Sequence, residues 1–439
     1  MSDQSFEQFE RDEEMLEARR LRRLEMKRKR QIQQRIILAS MAAVLVLLIV
    51  LIARGCSASR EEKPVEPPVE QQEVVAPPPV DPDVTATLAA VGDIMIYDEL
   101  IADAKQEDLT YNFDQNFATV APYLSAANLT VGNLELNFSG NSNYAGKDVW
   151  NAPETLAVTL KNIGFDILQT ANTFSIHNGM NGLSTTIDVL TAAGIDHVGT
   201  YADSAAKADG NGIVVRSVNG IKFAFVAFTK GLNGLTLPSG YEYSVDVLYE
   251  DYDANYSDVF ETAIKERLDA AKSQEPDVLV AMLHWGSEYE GGISKSQEEI
   301  TELMLKNGVD VILGSHSHIA GPMEVREVET TDGETKECFV AYSLGNFYSF
   351  MPDKDYTMES LILNLEFTKS GETGETTVSN AEYLPLYILD HGEEAQTRFE
   401  VVPIRKAMEN STFAQYNQQM LDAIDHLEVN TKSSYDSGK

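Results

Sequence analysis

One pattern of apolar and polar positions recurs three times between residues 150 and 315. An amphipathic stretch is closed by glycine and followed at once by a short apolar run, in Asn162-Ile-Gly-Phe-Asp-Ile-Leu, Ala193-Gly-Ile-Asp-His-Val and Asn307-Gly-Val-Asp-Val-Ile-Leu. Glycine there supplies the left-handed backbone that stops a helix, and the β-branched residues after it start a strand. Alternation of this kind predicts parallel β-α-β units with buried strands, an α/β fold. Beyond Asn346 the helical period drops out. Residues 360–367 and 381–389, separated by the Gly, Thr and Glu-rich stretch 370–377, predict a hairpin and therefore a mixed sheet. Residues 410–427 place Phe413, Tyr416, Met420, Ile424 and Leu427 at intervals of three and four, the spacing of an amphipathic closing helix. The last dozen residues are expected to be disordered.

The first 83 residues have a different texture. Residues 36–53 form an apolar run of 18 without a charge, close to the minimum that spans a bilayer as a helix. Ahead of it lies a basic cluster, Arg19, Arg20, Arg22, Arg23, Lys27, Arg28, Lys29, Arg30 and Arg35. The positive-inside rule then keeps residues 1–35 cytoplasmic, as a solvated helical extension, and exports everything after Arg54. A cleaved signal peptide has a much shorter basic region, so an uncleaved single-pass anchor is expected. Residues 54–83 shift to Pro, Glu, Val and Gln, including Pro77, Pro78 and Pro79, and read as a stiff extracellular stalk. The main domain is expected over 84–405, followed by the closing helix and tail, 406–439.

Charge sharpens this division. Of the 34 Lys and Arg, 12 lie in residues 1–60 beside 8 acids, which leaves 22 against 61 acids, a net of −39, for the remainder. Nucleic-acid affinity rests on cationic neutralisation of phosphates, so a nucleic-acid partner is excluded. The two cysteines, Cys56 beside the apolar run and Cys338 inside the domain, are not expected to pair.

In open α/β sheets ligands bind at the carboxyl ends of strands, so the residues following each apolar run matter most. They are polar throughout: Gly92-Asp93, Gly132-Asn133-Leu134-Glu135, Ala171-Asn172, His284-Trp285-Gly286 and Gly314-Ser315-His316-Ser317-His318. Three of seven histidines, an aspartate, a glutamate and an asparagine thus share one topological position. Imidazole and carboxylate without thiolate suit Mn, Fe or Zn. Six such groups (Asp93, Glu135, Asn172, His284, His316 and His318) suffice for two divalent ions, an arrangement that typically orients water and a phosphoryl group for hydrolysis. Flanking glycines are expected to let the backbone bend toward a shared centre. Asn133, Trp285, Glu288, Tyr289 and Asn346 are the candidates to line a substrate groove, with core packing an equal reading for Trp285 and Tyr289 and a turn cap the alternative for Asn346. His197, His391 and His426 lack such a context and read as structural or surface residues.

These segments, together with Tyr342-Ser343-Leu344-Gly345-Asn346-Phe347 and Ser287-Glu288-Tyr289 after Gly286, resemble the bacterial capsule-biosynthesis CapA family, relatives of calcineurin-like metallophosphoesterases. The resemblance spans roughly residues 85–403. It implies a four-layered α/β/β/α sandwich of the metallophosphoesterase kind, preceded by one transmembrane helix. It also implies a cell-membrane protein with an extracellular domain that serves synthesis or export of an anionic polymer such as poly-γ-glutamate, with a membrane polymer synthase as a possible partner. Asp93, Glu135, His284, His316 and His318 match the family's ligand positions. The family usually reads Ala-Asn-Asn-His where this chain has Ala171-Asn172-Thr173-Phe174, so the implied proton-donor histidine is missing and His177 is the candidate in its place. Ser317 stands where proline is usual, which predicts a looser loop. A metal-dependent hydrolase and a non-catalytic, polymer-binding accessory protein are both compatible with the pattern.

Overall fold

The computed structural model describes residues 81–208 and 212–431. The expected cytoplasmic segment, residues 1–35, the anchor, 36–53, Cys56, the stalk up to residue 80 and residues 432–439 lie outside them. Among the described residues no helix is long and apolar enough to cross a membrane.

Fourteen strands are described: β1 Val84–Ile94, β2 Leu129–Leu134, β3 Ile167–Gln169, β4 Asp196–Val198, β5 Val214–Val218, β6 Ile221–Thr229, β7 Val278–His284, β8 Val311–Ser315, β9 Met323–Glu329, β10 Thr335–Ala341, β11 Asn346–Tyr348, β12 Glu359–Lys369, β13 Thr376–Asp390 and β14 Phe399–Pro403. They form a mixed α/β fold with two sheets. The first runs β14-β13-β12-β1-β2-β3-β4 with β11 beside β1, and the second β5-β6-β7-β8-β10-β9. The strands β1 to β4 are mutually parallel, as are β6, β7, β8 and β10, while β12, β13 and β14 run antiparallel. The helix-glycine-strand pattern lies behind the parallel pairs. The helix Gly179–Ala193, for example, ends on Gly194 at φ 77°, a left-handed conformation that glycine adopts without steric cost, and β4 follows.

Side chains along a strand alternate between faces, and the apolar clusters follow that period. On β7, Val278, Val280 and Met282 join a core with Phe223, Phe225, Leu88, Ala90 and Val131 from both sheets, whereas Leu279, Ala281 and Leu283 pack with Ile264, Leu268, Ile300 and Met304 of the helices Glu261–Lys272 and Lys295–Lys306. A third cluster joins Ala89, Val91, Leu134 and Leu168 to Leu156, Leu160 and Leu190 of the helices Thr155–Asn162 and Gly179–Ala193. The expected hairpin is β12–β13. The expected closing helix opens as a 3-10 turn, Ser411–Tyr416, and continues as an α-helix, Asn417–Thr431, four residues into the stretch expected to be disordered. Its Leu427 enters the core shared by the sheets and its Met420 and Ala423 pack on Leu389, Val402 and Ile404, contacts that order it.

Candidate metal centre

The alternation that fills the core also builds the site. On β2, Leu129 and Val131 face the other sheet; two and four residues beyond Val131, Asn133 and Glu135 keep that direction past the end of the apolar core. His284 follows Met282 in the same way on β7, and Ser315 follows Leu313 on β8. Asp93 gets there differently. Ala86, Leu88 and Ala90 face the second sheet, which would send Asp93 to the opposite side, but the register with β2 shifts between Ala90 and Asp93 and turns the carboxylate inward. Gly92, beside it, has no room for a Cβ, which would run into the carbonyl of Gly345. Likewise Gly314 lies against the Tyr342 carbonyl. These two glycines permit close backbone approach rather than the expected bend, since neither has a positive φ. The bends fall on Gly286, at φ 76°, and on the histidines themselves, His316 at φ 95° and His318 at φ 61°. Non-glycine residues adopt such conformations at a cost that is typical of functional sites.

Five side chains expected to meet do so, all buried. Ligand atoms of Glu135, His284 and His316 lie within 4.8 Å of one another, as do those of Asp93, Glu135 and His318, so Glu135 is common to both groups. Asp93 accepts hydrogen bonds from Asn133 Nδ2 (2.7 Å) at one oxygen, and at the other from His318 Nδ1 (2.9 Å) and the His316 backbone N–H (3.3 Å). The His318 Nδ1 also approaches Asn346 Oδ1 at 3.1 Å. His284 Nε2 is 3.3 Å from Glu135 Oε1, while its Nδ1 meets Ser315 Oγ at 3.0 Å and Asn133 Nδ2 at 3.3 Å. Asn133 and Asn346 are therefore buried supports of the cluster, not groove residues. Ser317 does not loosen the loop: its hydroxyl donates to the Ile319 carbonyl and is 2.8 Å from the Ser343 hydroxyl, a tie between loops that a proline would lack.

Burial governs the protonation of these groups. It drives His284 down to about 3 and His316 well below its ordinary value, leaving both imidazoles neutral with a lone pair to offer. Burial, then the charge of Asp93, pushes Glu135 well above the carboxylate range. Burial also works against the charged forms of Asp93 and His318, but their mutual hydrogen bond and charge outweigh it, holding Asp93 low and His318 up at about 9. Two carboxylates and three imidazoles buried together call for a cation, and a set of nitrogen and oxygen donors without sulfur fits Mn, Fe or Zn.

The remaining candidates fall at different distances from this centre. Asn172 reaches it through Asn133, donating to Asn133 Oδ1 (3.1 Å) and the Leu134 carbonyl (2.7 Å), while its own oxygen accepts the Phe174 N–H (3.1 Å). Trp285 does not line a groove. It is buried on the helix side of β7, donates to the Tyr342 carbonyl at 2.9 Å and stacks on the Tyr342 ring. Tyr289 and Glu288 stand at the exposed edge, Tyr289 with its ring 5.8 Å from that of His318 and Lys354 4.6 Å above it. His177 is held by the Asp148 carbonyl at 3.0 Å and packs edge-on to Phe174. His391 and His426 pair with Glu400 and Glu359, and His197 lines a cavity of about 310 Å3 with Asp196, Tyr201 and Arg216, which none of the five cluster residues lines.

One residue with no expected role stands at the centre. Thr173 places its hydroxyl 2.8 Å from His284 Nε2 and 3.4 Å from His316 Nδ1. Lys230, just past the end of β6, turns to the other face: its N–H donates to the His284 carbonyl (2.8 Å), while its Nζ donates to the Gly286 carbonyl and lies 4.8 Å over the Tyr256 ring.

Fold and cluster define a mixed α/β protein with a polar centre at converging strand ends. The chain belongs to the bacterial capsule synthesis protein family PGA_cap, which matches residues 87–351. It is 29% identical over 271 residues to a capsule biosynthesis protein CapA of Bacillus anthracis, covering 60% of this chain and 59% of that protein. The chain thus matches less than two thirds of that relative's length. It is 28% identical over 307 residues to a PGA biosynthesis protein CapA of Bacillus subtilis (strain 168), covering 68% of this chain and 71% of the relative. Among solved structures, a calcineurin-like phosphoesterase from Bacillus subtilis aligns at 15% identity and a TM-score of 0.38, over 79% of this chain and 100% of the other. A phosphatase from Mycoplasma pneumoniae aligns at 14% and 0.37, over 69% and 94%.

Proposed function

We propose that the protein is a single-pass membrane protein whose extracytoplasmic domain, in the four-layered α/β/β/α order of metallophosphoesterases, acts as a metal-dependent hydrolase on an anionic capsule polymer of the poly-γ-glutamate type or a phosphorylated precursor. The observation that carries this is the pair of buried ligand groups sharing Glu135. They provide for two divalent ions, one between Glu135, His284 and His316 and one between Asp93, Glu135 and His318. Bound there, such ions supply Lewis acidity and a water of lowered pKa. The chain's own residues set the geometry: Ser315 fixes the His284 ring, and Asn346 and Asp93 fix that of His318. Elemental analysis of the full-length protein purified in mild detergent tests the reading. Two equivalents of Mn, Fe or Zn are expected, reduced in His316→Ala and Asp93→Ala; a folded wild type that carries no metal and takes none up contradicts it.

A second reading, a non-catalytic accessory protein that binds nascent polymer or couples to a membrane synthase, is favoured by one observation. Phe174 stands where the family's proton donor would be and stacks on Trp150, with His177 held by Asp148. Replacing residues 1–55 with an unrelated anchor separates the readings: loss of polymer with full metal content favours coupling to a synthase through the anchor, and unchanged polymer argues against it.

A further inference from the structure

We infer that the hydroxyl of Thr173 is a fourth ligand group at the Glu135–His284–His316 position, supplying an oxygen where the chain's departure from the family pattern reads as a loss. This rests on the metal reading above. Three lines of geometry carry it. First, the turn that presents Thr173 is pinned on both sides: the Asn172 side-chain oxygen accepts the Phe174 N–H, the Asn172 N–H donates to Ser175 Oγ at 2.8 Å, and Ser175 Oγ donates back to the Thr170 carbonyl at 2.6 Å. The hydroxyl is therefore held in place before any ligand arrives. Second, it has more neighbours than its chemistry serves. A hydroxyl carries one hydrogen, yet Thr173 Oγ1 faces His284 Nε2, His316 Nδ1 and the carboxylate of Glu135. With an ion bound and Glu135 ionised, donating that hydrogen to Glu135 leaves lone pairs pointing where both imidazoles also offer theirs. A cation at that point has four protein donors, the common number for zinc. Third, the next residue, Phe174, belongs to an apolar cluster with Trp150, Met95 and Met351, so the turn shields this side of the centre from water.

The alcohol acts as a neutral donor, so no proton is lost on binding. Ser315 Oγ then has to accept from His284 Nδ1–H, which fixes the tautomer that presents Nε2 to the ion. Thr173 also belongs to one ion position only, since the Asp93–Glu135–His318 group does not include its neighbours His284 and His316.

The test uses full-length protein stripped with chelator and titrated with Mn2+ alone, with ion content counted after dialysis. Wild type is expected to take two ions. Thr173→Val, equal in shape but without the hydroxyl, is expected to keep one and bind the other at least about tenfold more weakly, and Thr173→Ser to restore binding to within about threefold. Co2+ loading gives an independent signature: removal of an oxygen ligand changes the visible spectrum of the Val variant, whereas a residue that only positions the imidazoles leaves the band shape unchanged. Val binding both ions as wild type does, or a Co2+ spectrum identical to wild type, overturns the hydroxyl ligand and leaves the metal centre standing. A wild type that binds no ion overturns both.

Discussion

His318 is the residue whose environment departs furthest from its surroundings. Its neighbours His284 and His316 are neutral, yet it is held up at about 9, because Asp93 and Glu135 outweigh the burial that would lower it. A histidine raised above its unfolded value of 6.5 stabilises the fold fully below that pH and loses the contribution as pH rises through about 9. In chelator-treated protein the urea midpoint should therefore fall between pH 6.5 and 9, by on the order of 2–3 kcal/mol in stability. His318→Gln should flatten that part of the profile, and a wild-type midpoint constant over the window contradicts the assignment.

Elements explain which parts of this were legible in sequence. Helix-glycine-strand units are local patterns, so the parallel strands and their polar ends could be read directly, and with them the five residues that meet at the centre. Trp285 reads from its neighbours alone either as groove or as core, and the period of two decides for core: a residue beside inward His284 must face outward, and Trp285 does. Replacing it with alanine should destabilise the domain by about 3–5 kcal/mol, the usual cost of emptying a large aromatic site. Metal content of the folded fraction should not change; loss of metal at unchanged stability would return Trp285 to the groove. Asp93 was legible as a polar strand end, but its inward aim, and the place of Thr173 altogether, depend on irregular backbone. A one-residue register shift turns Asp93 inward, and a side-chain-pinned turn aims Thr173, neither of which leaves a periodic trace. The Gly92 position ties the shift to packing against Gly345. Gly92→Ala should thus cost about 2–3 kcal/mol and lower metal affinity together, since strand and ligand cannot move separately. A stable Gly92→Ala protein with full affinity would show that the close approach is not needed.

At the scale of the whole molecule, the net charge of −35 sets a constraint that the site must overcome. An anionic polymer approaching so acidic a chain meets long-range repulsion, while groups that reach the centre would meet any bound ions at short range. Salt acts unequally on these terms, because exposed charges beyond about 10 Å are screened at 0.1 M whereas buried contacts are screened much less. If the proposed function holds, association of poly-γ-glutamate with the metal-loaded protein should speed up as salt rises from about 20 to 150 mM, the reverse of a cationic binding surface. Stripping the metal should abolish binding at every salt concentration, since repulsion then has no opponent at the centre. Surface plasmon resonance on detergent-solubilised protein reads both quantities. A binding rate that falls steeply with salt, or survives chelation, would locate the polymer on some basic surface elsewhere, such as the arginine and lysine cluster of residues 19–35, and would take the centre of His284, His316 and His318 out of polymer recognition.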